Sequence, residues 1–98
     1  MIVLTQLVYV HAGETVAFEA FEAAVLPRLG LYGGELLLRA RPRKLEGSLD
    51  EPSEIHLVRF PDEAALAAYT ADPIRLQHVH LKDAAVRMQL LYRAHNSG

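Results

Sequence analysis

Cysteine is absent from this 98-residue chain. Its absence excludes disulfides, thiolate metal sites and thiol nucleophiles. A basic excess is missing too: the formal net charge is -2 and the pI about 6.2, so nothing supplies the positive field that binds a phosphate backbone. Nucleic acid is therefore not an expected partner. No apolar run reaches the ~20 residues of a membrane span, because Gln6 interrupts the first one, and no positive segment precedes that run. The expectation is a soluble, cytoplasmic protein without a membrane partner. What remains is a chain 51% apolar, of a size that forms one domain over residues 1–98 and buries roughly two-thirds of its unfolded surface.

The most legible stretch is Glu54 to Pro73, EIHLVRFPDEAALAAYTADP. Ile55 to Phe60 is rich in β-branched and aromatic residues and reads as a buried strand, which Pro61 stops. Asp62 is a good N-cap, Glu63 suits a first helical turn, and Leu66 and Tyr69 share one face of an alanine-rich helix. Asp72-Pro73 repeats the cap signal and predicts a second short helix.

Earlier in the chain, Ile2 to Val10 is apolar on both alternating faces, as in a strand covered on both sides. Glu14 to Leu29 places Phe18, Phe21, Val25 and Leu29 at helical spacing, with Glu19 and Glu22 facing away; Pro27 kinks or restarts this helix and Gly30 ends it. After Gly33-Gly34, Glu35 to Arg41 alternates Leu36, Leu38 and Ala40 with Glu35, Leu37, Arg39 and Arg41, as in an edge strand. Pro42 to Ser53 reads as a long, mobile hairpin loop. Val86 to Arg93 alternates as a last strand, and His95 to Gly98 reads as a frayed tail.

The order is strand, helix, strand, strand, helix pair, strand. With right-handed crossovers this gives an α+β domain of the split βαβ kind, one four-stranded antiparallel sheet with its helices on one face. The other face is left apolar over several hundred Å². A second copy is its natural cover, two sheets closing a barrel about a two-fold axis.

The runs YVHAGETVAFEAFEAAVLPRLGLYGGELLLRARP, EIHLVRFPDEAALAAYTADPIR and HLKDAAVRMQLLY resemble a bacterial family of unknown function, the group numbered thirteen-thirty, within the dimeric α/β-barrel superfamily. The resemblance spans nearly the whole chain and rests on structural motifs such as LYGGELLLR. It implies a ferredoxin-like βαββαβ fold, a homodimer and no established reaction. Superfamily relatives include cofactor-free monooxygenases, haem-degrading enzymes, muconolactone isomerases and chlorite dismutases, and fold alone does not choose among them. The monooxygenases use a pocket asparagine and tryptophan; this chain has no tryptophan, and its one asparagine is Asn96. Haem-degrading relatives bind iron through a histidine on the helix after the third strand, where His78 and His80 lie. Residues two apart on a helix point to different sides, so at most one of them faces a pocket.

Polar residues on covered strands are the remaining signal, because an ionisable group there is costly without a partner. Gln6, Glu35, Arg39, Arg87 and Gln89 occupy one alternate of their strands, and Arg59 alternates with His56. If that alternate faces the barrel, the interior is apolar with a few arginines and amides and suits a small anionic or aromatic metabolite. Against this stands a plain structural reading, with Arg39 and Arg87 as edge charges and Glu35 with Arg59 as an ion pair. The candidate ligand-binding residues are Gln6, Arg39, Arg59, Tyr69 and Gln89. His56 and Arg59 are the catalytic candidates, a histidine being able to move a proton near neutral pH. His11, at a strand end, reads as a turn residue. No ligand spacing marks a metal site, and no cofactor is expected. The competing reading is a non-catalytic dimerisation or sensing module whose barrel is packed solid.

Overall fold

The computed structural model describes residues 1–95. Strands β1 (Ile2–Val10), β2 (Glu35–Ala40), β3 (Glu54–Phe60) and β4 (Val86–His95) form one antiparallel sheet in the order β2-β3-β1-β4. Helices α1 (Thr15–Val25), α2 (Glu63–Thr70) and α3 (Pro73–Ala85) join them. Of the predicted tail His95 to Gly98, His95 instead ends β4 opposite Ile2, and residues 96–98 lie outside the described residues.

The hydrophobic stripe of α1 meets the sheet, burying Phe18, Phe21 and Val25, and Val8, Phe18 and Ala85 form the centre of the core. Glu22 departs from expectation. It is 2% exposed and faces the sheet. The spacing had already placed it there: four residues after Phe18 and three before Val25, it falls within the apolar stripe.

Pro27 restarts the helix, as a 3-10 segment Leu26–Tyr32. It ends at Gly33 rather than Gly30, because Gly33 takes the left-handed conformation (φ 75°) that lets its N–H and that of Gly34 return to the last carbonyls. Asp62 and Asp72 cap α2 and α3 as the sequence predicts, accepting from the Ala65 and Arg75 N–H groups at 2.8 and 3.0 Å. Asp72 has a second task. Its buried carboxylate accepts two hydrogen bonds from Arg28, at 3.1 and 2.9 Å, and one from the Tyr32 hydroxyl, fastening the 3-10 segment to α3. The Arg28 and Tyr32 hydrogen bonds hold its pKa well below the usual carboxylate range.

Two bulges alter the alternation that a strict strand period predicts. Leu36 pairs with Val58 and Leu38 with Leu57, so Leu37 is an extra residue in β2. Glu35 therefore shares the open face with Arg59, its ion-pair partner, while Arg39 turns to the helix side opposite His56. In β4 the register shifts between Tyr9 and Val10, setting Arg87 apart from Gln89. Arg87 stacks 5.2 Å from the Tyr9 ring and pairs with Asp50 at 3.1 Å.

The segment between β2 and β3 is irregular, as expected, but its end is anchored. The Ser53 N–H donates to the Val8 carbonyl at 2.7 Å, and the Tyr9 hydroxyl donates to the Asp50 carbonyl at 3.3 Å. Elsewhere the face away from the helices stays open. Val3, Leu7, Leu57 and Leu90 are half-buried on it, and Leu38, Met88 and Tyr92 are exposed. The domain measures 37 × 35 × 16 Å, and among the described residues only the segment between β2 and β3 reaches over the second sheet face, against Leu7, Tyr9 and Ile55.

Candidate functional site

A row of side chains crosses the sheet on its helix side. Arg39 pairs with His56, His56 with Gln6 and Gln6 with Leu91; the next row holds Glu54, Val8 and Gln89. Glu54 and His56, two apart on β3, project to the same face. From above, α1 lowers Glu22 onto them.

The result is a buried cluster. His56 Nε2 lies 2.9 Å from Glu54 Oε1 and 3.0 Å from Glu22 Oε2. Arg39 donates through Nε to Glu54 Oε1 and through Nη2 to Glu22 Oε1, both at 3.0 Å. Glu22, Glu54 and His56 are 2%, 4% and 4% exposed. Burial by itself lowers the pKa of His56, but its contacts with Glu22 and Glu54 outweigh that and hold it above the ordinary imidazole value. Burial likewise opposes the charge of Glu54, and His56, Glu22 and Arg39 overcome it, keeping its pKa below the usual carboxylate value. The ligand-capable atoms of Glu22, Glu54 and His56 lie within 4.8 Å of one another, so these are the described residues that can hold a metal ion.

A cavity adjoins the cluster between sheet and helices. Its main lobe, about 140 Å³, has a floor of Leu4, Val58, Phe60 and Leu91 and polar walls of Gln6, His56, Tyr69, Arg75, Lys82 and Gln89. A smaller lobe of about 80 Å³ continues past His56 to Glu22 under Phe18 and Phe21. Arg75 and Lys82, seven apart on α3, share the helix face that enters the cavity. The Arg75 guanidinium stacks 5.7 Å from the Tyr69 ring, which packs 5.4 Å from Phe60. Burial, then the charge of Arg75, lowers the pKa of Lys82.

Of the sequence-predicted site residues, Gln6, His56, Tyr69 and Gln89 line this cavity. Arg39 stands beside it, engaged with Glu22 and Glu54. Arg59 does not join them: it lies on the open face, bound to Glu35. The cavity itself lies between sheet and helices of one protomer, where the sequence reading placed it between two sheets. His78 bonds its own helix, Nδ1 to the Ile74 carbonyl at 2.8 Å, and neither it nor the exposed His80 lines the cavity. Sequence reasoning missed Glu22, Glu54, Arg75 and Lys82. The signals were there in part, Glu22 in an apolar stripe and Glu54 two residues before His56 on a strand.

A family model described as a domain of unknown function, DUF1330, matches residues 6–92. No curated protein matches the chain. Among solved structures, a protein of unknown function from Rhodopseudomonas palustris is 22% identical with a TM-score of 0.82, over 95% of this chain and 79% of its own. A dimeric ferredoxin-like protein of unknown function from Jannaschia sp. CCS1 is 17% identical with a TM-score of 0.81, over 96% and 97%. A dabb family protein with a ferredoxin-like fold from Mesorhizobium loti is 19% identical with a TM-score of 0.67, over 99% and 97%. At these identities the likeness shows the fold, which is ferredoxin-like and α+β.

Proposed function

The chain belongs to the DUF1330 family, and from that premise we propose that it is a homodimer each of whose protomers binds a small organic anion in the cavity between sheet and helices. The charge of the main lobe carries the reading; Glu22 lines only the smaller one. Arg75, Lys82 and His56 enter the main lobe and no carboxylate lines it. Among the described residues no ion pair reaches Lys82. An ammonium withdrawn from water with only the Asp83 charge nearby and no direct ion pair among the described residues is unfavourable, and a bound carboxylate relieves that cost while restoring the lysine's pKa. The planar guanidinium of Arg75 suits a carboxylate's two oxygens.

Size narrows the ligand. A lobe of about 140 Å³ compares with the ~150 Å³ apolar cavity that takes up benzene, so the ligand is of benzoate size, with a flat or branched apolar body on Phe60 and Val58. The amides of Gln6 and Gln89 offer donors and acceptors to a further polar group. The open sheet face supports the dimer: Leu38, Met88 and Tyr92 are exposed on it beside half-buried Val3, Leu7, Leu57 and Leu90, and contiguous apolar surface of this kind marks an interaction face. The Jannaschia relative, described as dimeric, supports it.

Calorimetric titration with benzoate and with its neutral counterpart benzamide tests the binding. Benzoate binds, benzamide does not, and Lys82→Gln weakens benzoate by ~10-fold or more, the loss of one charge-assisted contact. Equal affinity for both compounds, or no effect of Lys82→Gln, overturns the anion site. Light scattering at micromolar concentration tests the dimer: a particle of 10.9 kDa refutes it.

A further inference from the structure

Glu22, Glu54 and His56 converge with more acceptors than protons. The single hydrogen on His56 Nε2 cannot serve both carboxylate oxygens beside it, Glu54 Oε1 at 2.9 Å and Glu22 Oε2 at 3.0 Å. Glu22 Oε2 is left buried without a hydrogen-bond partner. An orphaned carboxylate oxygen that is nine-tenths buried is costly, and such atoms are rare unless something else meets them.

We propose that these three residues form a binding site for a first-row divalent transition-metal ion. One imidazole nitrogen and two carboxylate oxygens, with no thiolate, suit Zn²⁺, Mn²⁺ or Fe²⁺. The three atoms already lie within 4.8 Å of one another. In a tetrahedral shell of radius ~2.1 Å, ligand atoms stand about 3.4 Å apart, so an outward shift of about half an ångström opens the N···O pairs to that spacing. Arg39 is placed as the outer group that orients the carboxylates. It holds Oε1 of both Glu22 and Glu54 and leaves Glu22 Oε2 directed at the imidazole. The lobe of about 80 Å³ beside Glu22 and His56 has room for water or a ligand oxygen in the remaining position. A proton on the imidazole is the metal's competitor for this space.

The site shares His56 with the anion site but not Arg75 or Lys82, so Lys82→Gln tests the anion reading alone and Glu22→Gln tests the metal alone. The metal-stripped full chain is titrated with Zn²⁺ and Mn²⁺, and with Mg²⁺ and Ca²⁺ for comparison. One Zn²⁺ binds per chain, Mn²⁺ selectively broadens the His56 ring-proton signals in NMR, and Glu22→Gln and His56→Asn each weaken Zn²⁺ by roughly 100-fold or more, beyond what outer-shell losses cost. Two results overturn the proposal. One is the absence of Zn²⁺ and Mn²⁺ binding below about 1 mM. The other is binding that survives both substitutions, or broadening centred on His11, His78 or His80. Should either variant fail to fold, the position of the broadening in the unaltered protein decides alone.

Discussion

Replacing Arg39 by glutamine isolates what holds the buried cluster together. The guanidinium makes two charged hydrogen bonds of 3.0 Å to carboxylates that are almost fully buried. Removing one partner of a buried ion pair costs about 3–5 kcal/mol, because the other charge stays behind. Here the arginine side chain is 40% exposed, so water already screens part of the interaction, and we halve the figure to about 2 kcal/mol. For a domain of this size that lowers Tm by roughly 8–16 °C. The variant also changes the pH dependence. His56 has a folded pKa above its unfolded value, so its contribution is complete below an unfolded pKa of about 6.5 and is lost as pH rises through the folded pKa. Without Arg39, His56 is the remaining positive partner of Glu22 and Glu54, and stability falls more steeply with rising pH above about 6.5 than in the parent. Urea titrations followed by circular dichroism at pH 6 and pH 8, at one fixed protein concentration, measure both effects. A loss under about 0.5 kcal/mol, or identical slopes with pH, refutes the claim that the arginine neutralises the cluster.

Leu57→Lys sets a charge in the middle of the open sheet face, opposite Thr5 and Leu38, and lowers the mass of the proposed dimer to that of one chain in light scattering; a parent of dimer mass that the substitution leaves unchanged overturns the pairing through this face. Gly34→Ala fails for lack of space, since a Cβ there stands 2.9 Å from Phe60 Cε1 and 3.1 Å from the Leu29 carbonyl oxygen, and Phe60 is too enclosed to give way. Its cost is about 1–3 kcal/mol in urea unfolding, and a neutral substitution contradicts the close approach of the 3-10 segment to β3.

The element order and the caps were legible because each rests on local chemistry. Asp62 and Asp72 accept hydrogen bonds three residues ahead whatever the rest of the chain does. That one sheet face would stay open was legible from Ile2 to Val10, apolar on both sides, but which alternate faces the helices was not: Gln6, Arg39 and Gln89 lie under them and not on the open face. The Asp72, Arg28 and Tyr32 fastening was not legible either, as it joins residues forty or more apart in sequence.

The candidate site was half legible, and the half that was lost shows what governs it. Reading strands with a strict period of two puts Glu35, Arg39, Arg87 and Gln89 on one face. Each bulge adds one residue and so reverses every side chain beyond it relative to those before. In β2 the extra Leu37 is what separates Arg39 from Glu35 and delivers it to Glu54 and Glu22. With Leu37 paired regularly, Arg39 faces away from the helices, and two carboxylates share an enclosed space with a single imidazole. A bulge is favoured by local twist and edge position, neither of which composition reports. The acid and histidine cluster is thus a property of sheet register. Deletion of Leu37 takes out the unpaired residue and leaves Leu38 opposite Leu57 and Arg39 opposite His56, so it restores the strict alternation and keeps Arg39 in the cluster; only a regular pairing of Leu37 itself turns Arg39 outward.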